Sequence, residues 1–177
     1  MGYETALFGS RRIERLRERL LRRGARSTIA APWSLTAAPP NAQAAYERIL
    51  PYAEVIYLVI AADGVHTPAE QDALVGAIRY LSEGELGAQA ADHMITRFQS
   101  DLQREGIEQR LDDVASRVYG EREDRELALS LAAGVAAADG ELNPLEEQTI
   151  VGLAERLGFS QRQLHALFAD DAAQPES

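Results

Sequence analysis

The chain has 177 residues, of which 46% are hydrophobic and 26% are charged, and its formal net charge is −10. These values are ordinary for one soluble globular domain with its own core. The chain has no cysteine, which excludes disulfides, thiolate metal sites and thiol catalysis. All 18 basic residues are arginine, so no lysine base or Schiff base is available.

The first predicted element is a basic helix over residues 10–24, "SRRIERLRERLLRRG", with Ile13, Leu16 and Leu20 along one side. Residues 1–26 carry a net charge of +5, from eight arginines and three glutamates. This helix therefore either folds back on the rest of the chain or presents arginine to an anionic partner, such as a membrane surface in peripheral contact.

Prolines and small residues follow over 27–41, which predicts a linker, so we take 1–41 as a basic N-terminal helix and a Pro/Ala-rich linker. Residues 27–177 carry a net charge of −15, which should repel nucleic acid. From 42 to 168 the period is helical throughout and no strand alternation interrupts it. The predicted helices cover 42–50, 52–62, 68–81, 86–104, 107–118, 123–138, 144–157 and 161–168. We expect a single compact all-α domain, followed by a disordered tail over 169–177.

The longest apolar runs, 55–62 and 131–138, are much shorter than the ~20 residues of a membrane-spanning helix. The N-terminus lacks the apolar region of a secretion signal. We therefore expect a cytoplasmic protein.

An internal repeat is the strongest pattern in the chain. Residues 59–81 align without a gap on residues 135–157, with ten identities in twenty-three positions. Each copy reads as an apolar helix, a turn that contains Asp-Gly, and a second, amphipathic helix. The repeat predicts a pseudo-twofold arrangement with the two apolar helices at its centre, where Gly134 and its small neighbours would allow close packing.

The turns themselves have two interpretations. In the first they are helix joints, in which glycine takes a positive φ, Thr67 or Asn143 caps the second helix, and Glu70 or Glu146 completes a capping box. In the second they bind a divalent cation such as calcium or magnesium.

The cation interpretation rests on Asp63, Glu70, Asp139 and Glu146, which match the second half of a calcium-binding EF-hand loop. The first half of that loop is missing, because alanine and valine stand where oxygen ligands are needed, so an EF-hand is rejected. A shared site becomes possible only if the two turns approach each other, and otherwise any binding is weak.

The two "AADG…P.EE"-like motifs, at Asp63, Gly64 and Glu70 and again at Asp139, Gly140 and Glu146, resemble those of the TerB-like family. The resemblance covers about residues 45–168. That family is the all-helical domain of bacterial tellurite-resistance operons, and it also occurs in some membrane-anchored J-domain co-chaperones. The resemblance implies a compact helical domain without established enzymatic activity, with acidic residues thought to bind metal, and with roles in stress responses and membrane-linked complexes.

Catalytic patterns are otherwise poor. The three histidines, His66, His93 and His165, stand far apart and are interpreted as ordinary side chains. We predict a non-enzymatic stress-response module that interacts with a protein partner and permits weak cation binding. The alternative is a metal-dependent hydrolase that uses the acidic residues of the core.

Overall fold

A computed structural model describes residues 40–118, 120–140 and 142–168. These residues form seven α-helices and no strand: α1 (Pro40–Ile60), α2 (Pro68–Leu81), α3 (Ala88–Glu105), α4 (Ile107–Arg117), α5 (Arg122–Ala136), α6 (Pro144–Arg156) and α7 (Gln161–Phe168). A single 3-10 turn, Ala137–Asp139, follows α5. The predicted all-α class is confirmed. The predicted basic helix, the linker up to residue 39 and the tail lie outside the described residues.

The first helix corrects one prediction. We expected Pro51 to separate two helices, 42–50 and 52–62, but α1 continues through it from Pro40 to Ile60. A proline inside a helix costs about 3 kcal/mol, because it removes one hydrogen bond and crowds the preceding turn. Every residue from 53 to 60 is buried, and each large apolar side chain contributes about 1.5–3 kcal/mol. Burial therefore outweighs the local cost.

The centre of the domain is the contact between α1 and α5, which is the most extensive contact between any two of the described helices. All residues from 128 to 138 are buried, and most of them are small. Gly134 lies within this buried stretch. The prediction that the two apolar helices occupy the middle is confirmed by their burial.

The other helices surround this pair. α2, α3, α4 and α6 all contact α1, and α7 covers α5 and α6. None of the helices in the described part of the chain is long and apolar enough to cross a membrane.

The two repeats have matching helix boundaries. α1 and α5 end at Ile60 and Ala136, and α2 and α6 begin at Pro68 and Pro144, so both pairs differ by 76 residues. The 3-10 turn after α5 contacts α2, which brings the two joints to the same end of the domain. The pseudo-twofold axis itself stays a prediction.

Candidate functional site at the two helix joints

The first joint is residues 61–67, between α1 and α2. Gly64 has a φ of 77°, in the left-handed region that glycine accepts without strain. The hydroxyl of Thr67 accepts a hydrogen bond from the backbone N–H of Glu70 at 3.2 Å, and the Thr67 N–H donates to Glu70 Oε2 at 2.7 Å. The predicted capping box is therefore confirmed in the first repeat.

The second joint is residues 137–143, between α5 and α6, and it is built in the same way. Gly140 has a φ of 102°. Asn143 Oδ1 accepts from the backbone N–H groups of Leu145 and Glu146, each at 3.0 Å, and the Asn143 N–H donates to Glu146 Oε2 at 2.9 Å. Both glutamates are thus engaged in capping their own helices.

The two joints touch each other. The side-chain amide of Asn143 donates to Asp63 Oδ2 at 2.9 Å, while Asp63 Oδ1 accepts from the Val65 N–H at 2.8 Å. Val65 and Leu145 are therefore connected through these two polar side chains, and they are the large apolar residues that the described part of the chain exposes, at 62% and 50%. We call Asp63, Val65, Asn143 and Leu145 the joint surface.

Two glutamates of the joints are buried. Glu70 is 3% exposed and Glu146 is 1% exposed. Glu146 Oε1 has no hydrogen-bond partner. The neighbouring carboxyl group is that of Glu70, and two ionised carboxylates have no proton with which to form a hydrogen bond to each other. Burial raises the pKa of Glu146 to about 8, against the lowering effect of the Asn143 N–H, and the nearby carboxyl groups of Glu70 and Asp63 raise it further. A proton on Glu146 supplies the donor that the pair lacks.

The structure brings three of the four predicted metal ligands, Asp63, Glu70 and Glu146, near one another, and whether the four bind a metal stays a prediction. Asp63 and Asp139 are exposed, whereas Glu70 and Glu146 are buried and hold backbone N–H groups. Within residues 40–118, 120–140 and 142–168, no group of three or more acidic or histidine side chains is spaced to hold a metal ion. Calcium needs about 6–8 oxygen ligands. The described residues therefore do not by themselves complete the ligand set of a calcium or magnesium ion.

The three histidines lie on separate elements, and two of them pack against tyrosine rings. His66, in the first joint, meets the ring of Tyr57 edge to face, with 5.4 Å between ring centroids. His93, on α3, shares a hydrogen bond of 2.9 Å with the hydroxyl of Tyr46. His165 is exposed on α7. These positions give no arrangement of a base beside a nucleophile.

A buried ion cluster was missed by the sequence analysis. Glu54 on α1 is 2% exposed and accepts hydrogen bonds from Arg110 and Arg117 of α4. Arg110 also donates to Glu105 at 2.7 Å. A glutamate within the apolar sequence "YAEVIYLVI" was the available signal, since such a residue needs a cationic partner when buried. Because its carboxylate is paired, the cluster fastens α4 to α1 and offers no binding site.

The comparison with protein families concerns the region that contains both joints. The family model described as "Tellurite resistance protein TerB" matches residues 51–169, well over half of the chain. The chain belongs to the TerB family. The TerB region begins inside α1, includes both joints, and leaves the basic N-terminal residues outside it. No curated protein and no solved structure gives a match.

Proposed function

We propose that this TerB domain is a non-enzymatic interaction module of a tellurite-resistance type of stress response. We further propose that its joint surface binds a basic, amphipathic segment of a protein partner. The observation that supports the proposal is the hydrogen bond between Asp63 and Asn143, which joins the two turns. Asp63 also accepts from the backbone N–H of Val65, and Asn143 accepts from that of Leu145, so each turn carries one exposed apolar residue next to this contact. Apolar anchors beside an uncompensated charge are typical of surfaces that bind amphipathic helices.

The charge around the joints favours a cationic partner. Residues 57–78 and 126–155 contain no arginine, although both segments contain several acids. No ion pair of the described residues includes Asp63, the exposed acid at the contact between the joints. The negative potential of this end of the domain is thus available to attract a basic segment.

Free divalent cations would bind this surface weakly. Too few oxygens converge for tight coordination, so calcium or magnesium affinity should be no better than the ~10⁻⁴–10⁻³ M of weakly binding calcium modules. Melting curves of the full chain should therefore be almost unchanged at micromolar calcium. Any rise in melting temperature at millimolar calcium should be lost in the variants Asp63→Asn and Asp139→Asn. We do not propose the hydrolase, since no observation favours it.

The partner proposal can be tested with a fluorescently labelled helical peptide of leucine and lysine, read by anisotropy at low salt. We expect saturable binding to the full chain, and we expect the double variant Val65→Ser with Leu145→Ser to weaken it. Glu123→Gln, which removes an exposed acid on α5, is the matched control and should bind almost normally. Equal binding by all three proteins would contradict the assignment of the joint surface.

A further inference from the structure

We infer that residues 10–24 of this same chain occupy the joint surface and compete there with a basic partner segment. The inference rests on the proposed role of the joint surface in binding basic segments. It names the segment that the joint surface binds, and this segment lies outside the described residues.

The first argument is chemical complementarity. The segment 10–24 contains seven arginines and two glutamates, and its apolar residues Ile13, Leu16 and Leu20 recur at helical spacing. The joint surface has the opposite charge and two exposed apolar residues, since it contains the exposed acid Asp63 together with Val65 and Leu145. The helical spacing of this sequence puts arginines on both sides of its apolar residues, where they can meet the exposed carboxylate of Asp63.

The second argument is reach. α1 has 21 residues, so its first residue lies about 30 Å from its last, where the first joint begins. Residues 25–39 separate the basic segment from α1, and fifteen extended residues span up to about 50 Å. The segment can therefore reach the joint surface of its own domain without strain.

The test compares the full chain with a variant whose segment has lost its apolar side, Ile13→Ser, Leu16→Ser and Leu20→Ser together. Both proteins receive the labelled leucine and lysine peptide. A tethered competitor acts at an effective concentration near 1 mM, so we expect the peptide to bind the variant about tenfold more tightly than the unaltered chain. Adding Val65→Ser and Leu145→Ser to either protein should remove this difference.

The outcomes separate the two proposals. Equal peptide affinity in the two proteins would overturn the inference and leave the proposed function standing. Absence of peptide binding to both would overturn the proposed function and, with it, the inference. If the serine variant loses binding to vesicles of phosphatidylserine and phosphatidylcholine without gaining peptide affinity, the segment serves a membrane surface and the inference fails.

A distance measurement gives an independent readout. Because the chain has no native cysteine, Arg17→Cys and Gln148→Cys introduce two unique sites for spin labels. We expect one narrow distance distribution that broadens in the triple serine variant. A broad distribution in the unaltered background would overturn the inference. So would a signal that arises only when singly labelled chains are mixed, since the occupant would then belong to a second copy.

Discussion

Asn143 donates a hydrogen bond from its side-chain amide to Asp63 Oδ2 at 2.9 Å, across 80 residues of sequence. The same side chain uses its oxygen to cap α6. One residue therefore ends one helix joint and ties it to the other. The two halves of the TerB domain are coupled at this contact.

The coupling can be separated from the cap by two substitutions. Asn143→Ala removes both and should cost about 1–2 kcal/mol of unfolding free energy. Asn143→Ser keeps a capping oxygen but is too short to reach Asp63, so it should cost less. In a double-mutant cycle measured by urea unfolding, Asn143→Ala and Asp63→Ala should show a coupling energy of at least about 0.5 kcal/mol. Strict additivity would show that the contact contributes nothing.

The buried carboxyl of Glu146 predicts an unusual pH dependence. Its pKa is raised to about 8 from the ordinary value of 4.5, so the folded chain holds this proton more tightly than the unfolded chain does. The contribution of Glu146 to stability is therefore full below pH 4.5 and is lost as the pH rises towards 8. Glutamate ionisation at this position opposes folding at neutral and alkaline pH.

Glu146→Gln should remove that dependence. The amide stays neutral and supplies a donor next to Glu70, while its oxygen still accepts from the Asn143 N–H. One unit of pKa difference corresponds to about 1.4 kcal/mol, and because the carboxyls are coupled we expect a stabilisation on the order of 1–3 kcal/mol above pH 8. Urea unfolding at pH 5 and pH 8.5 measures it, with exposed Glu123→Gln as control. A variant less stable than the parent at pH 8.5 would refute this account.

Overpacking of the central helix pair is a third prediction. Gly134 is buried in α5, the helix that makes the largest contact with α1. Gly134→Leu should cost on the order of 1–3 kcal/mol or more. Gly152→Ala is a useful contrast, since its new Cβ would meet only Nη1 of Arg156, at 3.3 Å, the end of a flexible side chain. Alanine should be neutral or stabilising there by up to about 1 kcal/mol. Equal melting temperatures for the two variants would disprove the central position of Gly134.

Breaking the Glu54 cluster should be costly. Burial opposes the charge of Arg110, but its hydrogen bonds to Glu105 and Glu54 outweigh this effect and raise its pKa. Glu54→Ala leaves the Arg110 guanidinium buried without the Glu54 carboxylate, and this should lower the free energy of unfolding by about 3–5 kcal/mol. Asp112→Ala removes an exposed partner of Arg156, and that change should cost no more than about 1 kcal/mol. Thermal and urea unfolding of the two variants measure these costs. Equal losses of stability in Glu54→Ala and Asp112→Ala would contradict the view that burial makes the Glu54 ion pairs important.

The local features of the joints could be predicted because they depend on nearby residues. The positive φ at Gly64 and Gly140, and the caps at Thr67 and Asn143, follow from the few residues around each turn. A local cap of the same kind precedes α7, where the Ser160 hydroxyl accepts from the Gln163 N–H at 3.3 Å. Short-range patterns therefore specified where α2, α6 and α7 begin.

Features that depend on distant contacts could not be predicted. The continuity of α1 through Pro51 is determined by burial against helices that follow much later in the chain. The burial of Glu70 and Glu146 was equally inaccessible, since the capping motif is the same for an exposed glutamate. Sequence spacing suggested four metal ligands, but it could not show that the two aspartates are exposed and the two glutamates buried.

The central position of α1 also bears on the order in which the domain folds. α1 is the first described helix to be synthesised, and its buried run from 53 to 60 meets α5 only after more than sixty further residues have been added. Until then α2, α3 and α4 can pack against it, but one side of the helix has no apolar cover. The nascent chain therefore exposes an apolar surface until α5 has been synthesised. Truncated chains that end before Arg122 should aggregate.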